Sequence, residues 1–405
     1  MTFNAARVTN KRVAVVAAGI VSPMGIGLKA TLDSLLAARD CVTPVNRFKV
    51  ERCRCKTAAQ VSEEGSSPVK PGPSAARLHP ASHMITRALG EALGQDSQFQ
   101  PELTVIGTTS GGMSFGEQYY RALSGHSDLR QAPRWIANYP PQKPVMDALE
   151  AFAIESPCQV IANACASGTN AIGHAFHCIR AGRYQRVLAG GYDALCELVF
   201  VGFDSLQAAT ADKCRPFDAN RSGMVLGEGA AVLALEDWES ARGRGAEILA
   251  EITGYGISTD NHHLTQPNPS GIGPRIAMQQ ALQGANLKPT EIDYINAHGT
   301  ATRFNDLAEG KAIQELFGSR VPVSSTKSMM GHSLGAAGAI EAIVCILAIQ
   351  HNFLPPNINF STLDTDIDLD VVANHPRRQT VRTVLSNSFG FGGTNASIVL
   401  QASRS

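Results

Sequence analysis

Short apolar runs rich in β-branched residues recur along this chain, and segments of helical length separate most of them. Residues 13–20, 104–109, 186–190, 230–235, 248–255, 293–297, 321–324, 383–386 and 396–400, together with the run that starts at Val160, read as strands. Residues 27–38, 83–93, 145–153, 168–181, 274–285 and an Ala-rich stretch from Gly331 to about Ala348 read as helices. A strand apolar on both faces must be covered on both faces, so the expected class is α/β, with parallel or mixed sheets between helical layers. The pattern weakens from Cys41 to Ala76, where 63–68 and 71–73 carry turn residues, and 123–142 is expected to be irregular.

The 405 residues suffice for a large core in two or three domains or one duplicated unit. Lys plus Arg equals Asp plus Glu at 35 each, so no net charge draws the chain to nucleic acid or to an acidic surface. Nine cysteines with no C-x-x-C spacing fit a reducing, cytoplasmic setting better than a disulfide framework. Cys53 and Cys55 lack the second pair or the nearby histidines that a zinc site needs, and no metal is expected. Lys11 and Arg12 precede an apolar run at 13–21 as in a signal peptide, but the run is Val-rich and ends at Ser22-Pro23, which favours a first buried strand. No other run approaches the length of a membrane span.

The stretch Val160-Ile161-Ala162-Asn163-Ala164-Cys165-Ala166-Ser167-Gly168 reads as a buried strand, a sharp turn and a helix start. A thiol at that turn faces the free N–H groups and positive end of the helix, which favour the thiolate. A lone cysteine usually behaves as a small inert hydrophobe. Here three further unusual stretches also stand where strands stop: His298-Gly299-Thr300, Lys327 to His332, and Phe389 to Asn395. If those strand ends share one edge, a thiol, two imidazoles and an ammonium converge.

Asn163 to Gly168, Asn296-Ala297-His298-Gly299-Thr300-Ala301-Thr302, Ser325-Thr326-Lys327-Ser328-Met329-Met330-Gly331-His332 and Asn387-Ser388-Phe389-Gly390-Phe391-Gly392-Gly393-Thr394-Asn395 resemble the signatures of the β-ketoacyl-[acyl carrier protein] synthases. The likeness is to the elongating Cys-His-His type, synthase II, and Arg215-Pro216-Phe217-Asp218 and Leu226-Gly227-Glu228-Gly229 extend it. It implies a thiolase-like fold of two similar halves in α-β-α-β-α layers, one at 1–250 with the nucleophile and one at 251–405 with the histidines, the lysine and the glycine-rich loop. No repeat is visible between the halves, so duplication rests on rhythm alone.

The resemblance implies a decarboxylating Claisen condensation. Cys165 takes an acyl chain from a carrier-protein thioester, malonyl carrier protein loses carbon dioxide, and the product is a β-ketoacyl thioester longer by two carbons, in fatty-acid or specialised polyketide or polyene synthesis. A thiolate both attacks and leaves well. Backbone N–H groups of Cys165 and Phe391 hold the oxyanion. His298 and His332 donate to the thioester oxygen as negative charge develops, or one assists a water, and which does which is open. Lys327, supported by Asp306 and Glu341, tunes the imidazoles. Phe391, with Phe389 and Gly390, gates the acyl pocket. Thr265, Thr300 and Thr302 match pantetheine-binding positions. Relatives imply no cofactor beyond that pantetheine, an acyl carrier protein as partner, and a homodimer or a heterodimer with a ketosynthase-like subunit.

Two departures bear on the substrate. Ser110 stands where relatives carry a bulky aliphatic residue at the acyl-pocket floor, and a smaller polar residue there is expected to admit longer or partly polar chains. Arg303 replaces a common proline near the pantetheine entrance. The principal competing reading is a non-catalytic, chain-length-determining partner subunit, which lacks the nucleophile that Cys165 supplies. A thiolase needs a second catalytic cysteine near the C-terminus, a starter-type synthase a Cys-His-Asn set, and a papain-like protease leaves Lys327, His332 and the Phe391 loop without a role.

Overall fold

All ten residues of the strand Val13–Ser22 (β1) are buried, which is the outcome expected of a strand apolar on both faces. The computed structural model describes residues 10–62, 78–125 and 129–403; the turn-rich stretches at 63–68 and 71–73 lie outside the described residues. The remaining principal strands are β2 (Leu103–Gly107), β3 (Cys158–Ile161), β4 (Arg186–Asp193), β5 (Gly229–Asp237), β6 (Ala250–Thr259), β7 (Tyr294–Asn296), β8 (Pro322–Ser324), β9 (Thr383–Gly390) and β10 (Thr394–Gln401).

The first five lie side by side in the order β1-β5-β4-β2-β3, and the next five in the order β6-β10-β9-β7-β8. Each set therefore runs first, fifth, fourth, second, third. The strand senses repeat too: the first three neighbours in each set are antiparallel, and the fourth, second and third strands are parallel. The halves are thus one topology used twice, although no repeat is legible in the residues. Pairing of Val13 with Ile252, Ala14 with Glu251 and Val15 with Ala250 joins β1 to β6, so the two sheets are continuous.

Six helices set the layers: α1 (Pro80–Gln95), α2 (Lys143–Ala151), α3 (Ser167–Arg180), α4 (Ile272–Ala285), α5 (Arg303–Phe317) and α6 (Ala337–His351). Helices α1 and α2 cover the outer face of the first sheet, and α4 and α5 that of the second. Helices α3 and α6 pack on each other between the sheets and touch both, which gives the α-β-α-β-α order. The central position explains their composition. Every residue from Ala337 to Ile349 is buried, so α6 is apolar almost all round, and, contrary to the reading that no second run approaches membrane-span length, Leu334–His351 is long and apolar enough to cross a membrane, yet it is 89% buried inside the protein.

Tertiary context corrects the sequence reading in places. The stretch 123–142 contains a helix, Ala132–Asn138, and Glu197–Ser205 and α5 are helices that periodicity did not reveal. Between Cys41 and Ala59 two short strands, Val42–Pro44 and Thr57–Ala59, pair antiparallel.

The central helices approach so closely that side chains do not fit. A Cβ on Gly338 would lie 1.9 Å from Thr169 Oγ1 and 2.9 Å from the Thr169 backbone nitrogen. Gly338→Ala is expected to destabilise the fold by about 1–3 kcal/mol, read as a lower urea midpoint. Gly202→Ala, in the helix Glu197–Ser205 with no atom within 4 Å of its Cβ, is expected to gain about 0.5–1 kcal/mol instead.

Candidate active site

The parallel strands of both sheets end on one side, and every unusual stretch of the sequence lies at one of those ends. Thr108 to Ser110 follow β2, Cys165 follows β3, Asp193 ends β4, His298 follows β7, Lys327 and His332 follow β8, and Phe389 to Phe391 span the end of β9. A single cavity of about 240 Å³ is lined by Cys165, His298, His332, Phe389, Gly390 and Phe391 together with Thr265, Thr300 and Thr302. Lys327 lies buried behind it, and Ser110 is not part of its wall.

Cys165 is 5% exposed and stands two residues before α3, whose first turn has no side-chain cap. Ala164 before it is held at φ 56°, a left-handed conformation that costs about 1–3 kcal/mol in a non-glycine residue. Ala301 (φ 64°) and Leu334 (φ 52°) are left-handed in the same way, and Gly299 (φ 36°) and Gly331 (φ 66°) take that conformation without strain, so left-handed turns cluster beside His298 and His332. Burial pushes the Cys165 thiol up to about 12, while Lys327 and the backbone N–H groups of Phe391 and Cys165 itself pull it down. The sulfur thus already faces two amide donors, and the helix end adds to their pull.

His298 and His332 are buried with ring centroids 5.1 Å apart and planes at 84°. Burial lowers both imidazoles well below the usual histidine range; Lys327 lowers both further, and His332 adds to the shift of His298. Both rings are therefore neutral at pH 7. Among the described residues, His298 Nδ1 and both ring nitrogens of His332 have no hydrogen-bond partner. Buried polar atoms without partners are costly in a native structure and mark places where a ligand can complete the bonding.

Backbone bonds place these rings. The His332 N–H donates to the Val225 carbonyl at 2.7 Å, and its carbonyl accepts from Gly227 N at 2.9 Å. Gly227 is needed there, because a Cβ would lie 2.6 Å from the Met330 carbonyl. This accounts for the Leu226-Gly227-Glu228-Gly229 stretch. Glu309 on α5 accepts from the backbone N–H of His298 and Gly299, both at 2.8 Å, and from Asn387 Nδ2 at 3.1 Å.

Lys327 is fully buried and its Nζ donates to Glu341 Oε1. Burial raises Glu341 to about 7 against the pull of Lys327. The expected second partner is different. Asp306 is bonded to the backbone N–H groups of Phe217 (2.8 Å) and Ala301 (3.2 Å), with Arg221 Nε at 3.8 Å, and makes no ion pair with Lys327. It fixes the turn after His298 to the Arg215-Pro216-Phe217-Asp218 stretch, and among the described residues Glu341 is the one carboxylate paired with the lysine.

Phe391 is partly exposed and stacks on Phe203 with centroids 5.3 Å apart and planes at 28°, while Phe389 is buried 5.7 Å from the His298 ring. Gly392 and Gly393 follow at φ 84° and 78°. The Thr300 and Thr302 hydroxyls lie 2.9 Å apart on one wall, and partly exposed Thr265 donates its N–H to His263 Nδ1 at 3.1 Å, with its hydroxyl 3.4 Å from the same nitrogen. Among the described residues no group of three or more His, Cys, Asp or Glu side chains could hold a metal ion.

Ser110 makes a contact that its expected place at the acyl-pocket floor did not foretell. Its N–H and its hydroxyl both donate to Asp193 Oδ1 at 2.7 Å, which turns the side chain to a buried carboxylate. Asp193 also accepts from Thr108 Oγ1 and Thr109 N at 2.9 Å and from Gly335 N at 2.6 Å, and so ties the turn after β2 to the approach to α6. Neither Asp193 nor Glu309 was found from sequence; Glu309 follows Asp306 by three residues on one helix face, but α5 was itself unread. Ser110→Ala removes one donor from a buried carboxylate and is expected to cost about 1–3 kcal/mol, whereas Ser110→Thr restores the hydroxyl. Equal denaturation midpoints for wild type and Ser110→Ala would show that this bond contributes nothing.

Residues 10–241 match the family described as beta-ketoacyl synthase, N-terminal domain, and residues 249–361 match the beta-ketoacyl synthase, C-terminal domain. A curated relative, 3-oxoacyl-[acyl-carrier-protein] synthase 2 of Synechocystis sp., is 35% identical over 98% of this chain and 99% of its own. Among solved structures, the ishigamide ketosynthase/chain length factor superposes with a TM-score of 0.90 at 33% identity, over 98% of this chain and 100% of that one. A type II polyketide ketosynthase solved in complex with its acyl-carrier protein and bound to the hexaketide gives 0.87 at 29% identity, over 97% of this chain and 100% of that one. With both halves of the family matched in order and the thiol, imidazoles and glycine-rich loop brought to one cavity, this chain belongs to the β-ketoacyl synthases.

Proposed function

We propose that this chain is an elongating ketosynthase in which Cys165 carries the acyl chain and His298 and His332 serve the decarboxylation. The observation that carries the assignment is the pairing of a buried thiol between two backbone N–H groups with two neutral imidazoles in one cavity.

In the first half-reaction the Cys165 thiol gives up its proton and its sulfur attacks the carbonyl of an acyl thioester on the carrier protein. The N–H groups of Cys165 and Phe391 donate to the developing oxyanion, the carrier thiolate leaves and takes up that proton, and the acyl group stays on Sγ. In the second, a malonyl thioester enters the same cavity. Its carboxylate carbon departs as carbon dioxide, and the electron pair of the broken C–C bond becomes an enolate whose oxygen takes hydrogen bonds from neutral imidazole N–H groups. That carbanion forms a C–C bond to the acyl carbonyl, and the Cys165 thiolate leaves. The product is a β-ketoacyl thioester two carbons longer. Neutral donors suit this step because a charged imidazolium would give its proton to the enolate and quench it.

Lys327 supports both halves without touching substrate, by favouring thiolate and by keeping the imidazoles neutral. Thr300, Thr302 and Thr265 would hold the pantetheine arm, and the reaction calls for no other organic group or metal. The partner is an acyl carrier protein. The dimer we propose pairs through β3, the last strand of its sheet, which is partly exposed and presents unpaired backbone groups. A second copy completes a homodimer there, and a ketosynthase-like subunit would complete a heterodimer. The free cysteines fit a cytoplasmic setting.

Mass spectrometry of the protein after mixing with acyl and malonyl carrier proteins is expected to show acylation on Cys165 and a product extended by two carbons, both lost in Cys165→Ala. Absence of acylation with every carrier and chain would favour the chain-length-determining partner reading. A second outcome follows from the imidazoles. A depressed histidine is neutral above its folded pKa, so its neutral form survives as pH falls through 6.5. The decarboxylation rate of malonyl carrier protein is therefore expected to stay level between pH 7.5 and 6 rather than halve near 6.5; an inflection near 6.5 that moves in Lys327→Met would contradict this.

A further inference from the structure

We infer that Arg303 is the binding residue for the phosphate of the carrier's prosthetic arm, an assignment that rests on the ketosynthase reading above. The cavity has a buried end and an open end. Cys165, His298 and Thr300 are 5%, 3% and 2% exposed, Thr302 is partly exposed, and Arg303 and Phe304 are exposed, with Phe304 at 57%. Residues 300 to 304 thus trace the wall from floor to mouth, and all but Ala301 line the cavity. A pantetheine arm has a matching order of chemistry. Its thioester comes first, then two amides, then a dimethyl carbon, and last a phosphodiester. With the thioester at Cys165, the amides fall along the Thr300 and Thr302 hydroxyls, the dimethyl group along the exposed Phe304 and Leu206, and the phosphate at the mouth.

The charges of the wall point the same way. Apart from the neutral imidazoles, and among the described residues, its ionisable groups other than Cys165 are Asp260 and Arg303. Asp260 is spoken for, since it accepts from Asn268 N at 3.0 Å and from Asn395 Nδ2 at 2.8 Å. Asp364 lies near enough to Arg303 for the guanidinium to lower it, but its carboxylate is bonded to Arg221. The Arg303 carbonyl accepts from Arg221 Nη2 at 3.2 Å, which fixes the backbone, while among the described residues its guanidinium makes no ion pair within 4 Å. The buried end shows independently that the cavity takes a ligand, because His332 leaves both ring nitrogens without a partner. An arginine fork fits phosphate oxygens in two parallel hydrogen bonds, which a lysine cannot reproduce.

Acylation of Cys165 tests this with three donors of the same acyl group: pantetheine thioester, 4′-phosphopantetheine thioester and the carrier-bound thioester. In wild type, kcat/KM for the phosphopantetheine donor is expected to exceed that for the pantetheine donor. Arg303→Ala is expected to reduce that ratio by roughly three- to tenfold, the range for a charge-assisted bond at a partly exposed site, with partial recovery in Arg303→Lys. A ratio unchanged by Arg303→Ala overturns the inference. So does a loss seen only with the carrier-bound donor, which would place Arg303 against the carrier's protein surface. Failure of wild type to acylate Cys165 from any of the three overturns the ketosynthase reading and this inference with it.

Discussion

The geometry of the site depends on a contact between backbones, where the first turns of the two central helices meet. A Cβ on Gly168 would lie 2.7 Å from the Gly335 carbonyl and 3.0 Å from Ala339 N, so nothing but glycine allows this approach. Cys165 precedes α3 by two residues, and His332 precedes α6 by five. Locking these helices together therefore locks the thiol to the imidazole across the boundary between the halves. Asp193 acts on the same junction, since its carboxylate takes donors from the turn after β2 and from Gly335. A buried carboxylate with that many donors is stabilised where it is and would be costly anywhere else.

Duplication explains why so much chemistry fits in one cavity. Each half offers three parallel strands whose C-terminal ends open to the same side, and two halves give six ends. The copies have divided the labour. The first half supplies the Cys165 thiol after its third strand, and the second supplies Lys327 and His332 after the equivalent strand. The turn after β2 is clamped by Asp193 from the neighbouring strand, whereas the matching turn after β7 is clamped by Glu309 from a helix. The two turns are equivalent in topology and differ in what holds them, which is why no repeat survives in the residues.

Local signals made the strands, the main helices and the four functional stretches legible, because a strand buried on both faces leaves a continuous apolar run and a strained turn leaves glycines and small residues. Cys165, His298, Lys327 and His332 stood out on that ground. What stayed hidden was set by long-range contacts. Helix α5 has a mixed surface, with buried Asp306 and Glu309 among exposed residues, so its apolar period is weak. The partner of Asp306 could not be read from spacing, since Phe217 and Arg221 reach it from about ninety residues away. The bond from Ser110 to Asp193 stayed hidden for the same reason, since the carboxylate that receives it lies 83 residues further along the chain.

The choice of charges in the core follows from the chemistry the cavity must host. A buried ion pair such as Lys327 with Glu341 is expensive to form and seldom the most stable filling for a core. It makes sense where negative charge must appear twice in one place, first on sulfur and then on an enolate oxygen. One fixed ammonium lowers the cost of both anions and raises the cost of protonating either histidine. The carboxylate that balances it is itself lifted to about 7 by burial and keeps one oxygen without a partner. Glu341 therefore offsets the ammonium, whose pull on the sulfur opposes the burial that lifts the thiol without outweighing it, and whose charge adds to the burial that keeps the imidazoles neutral.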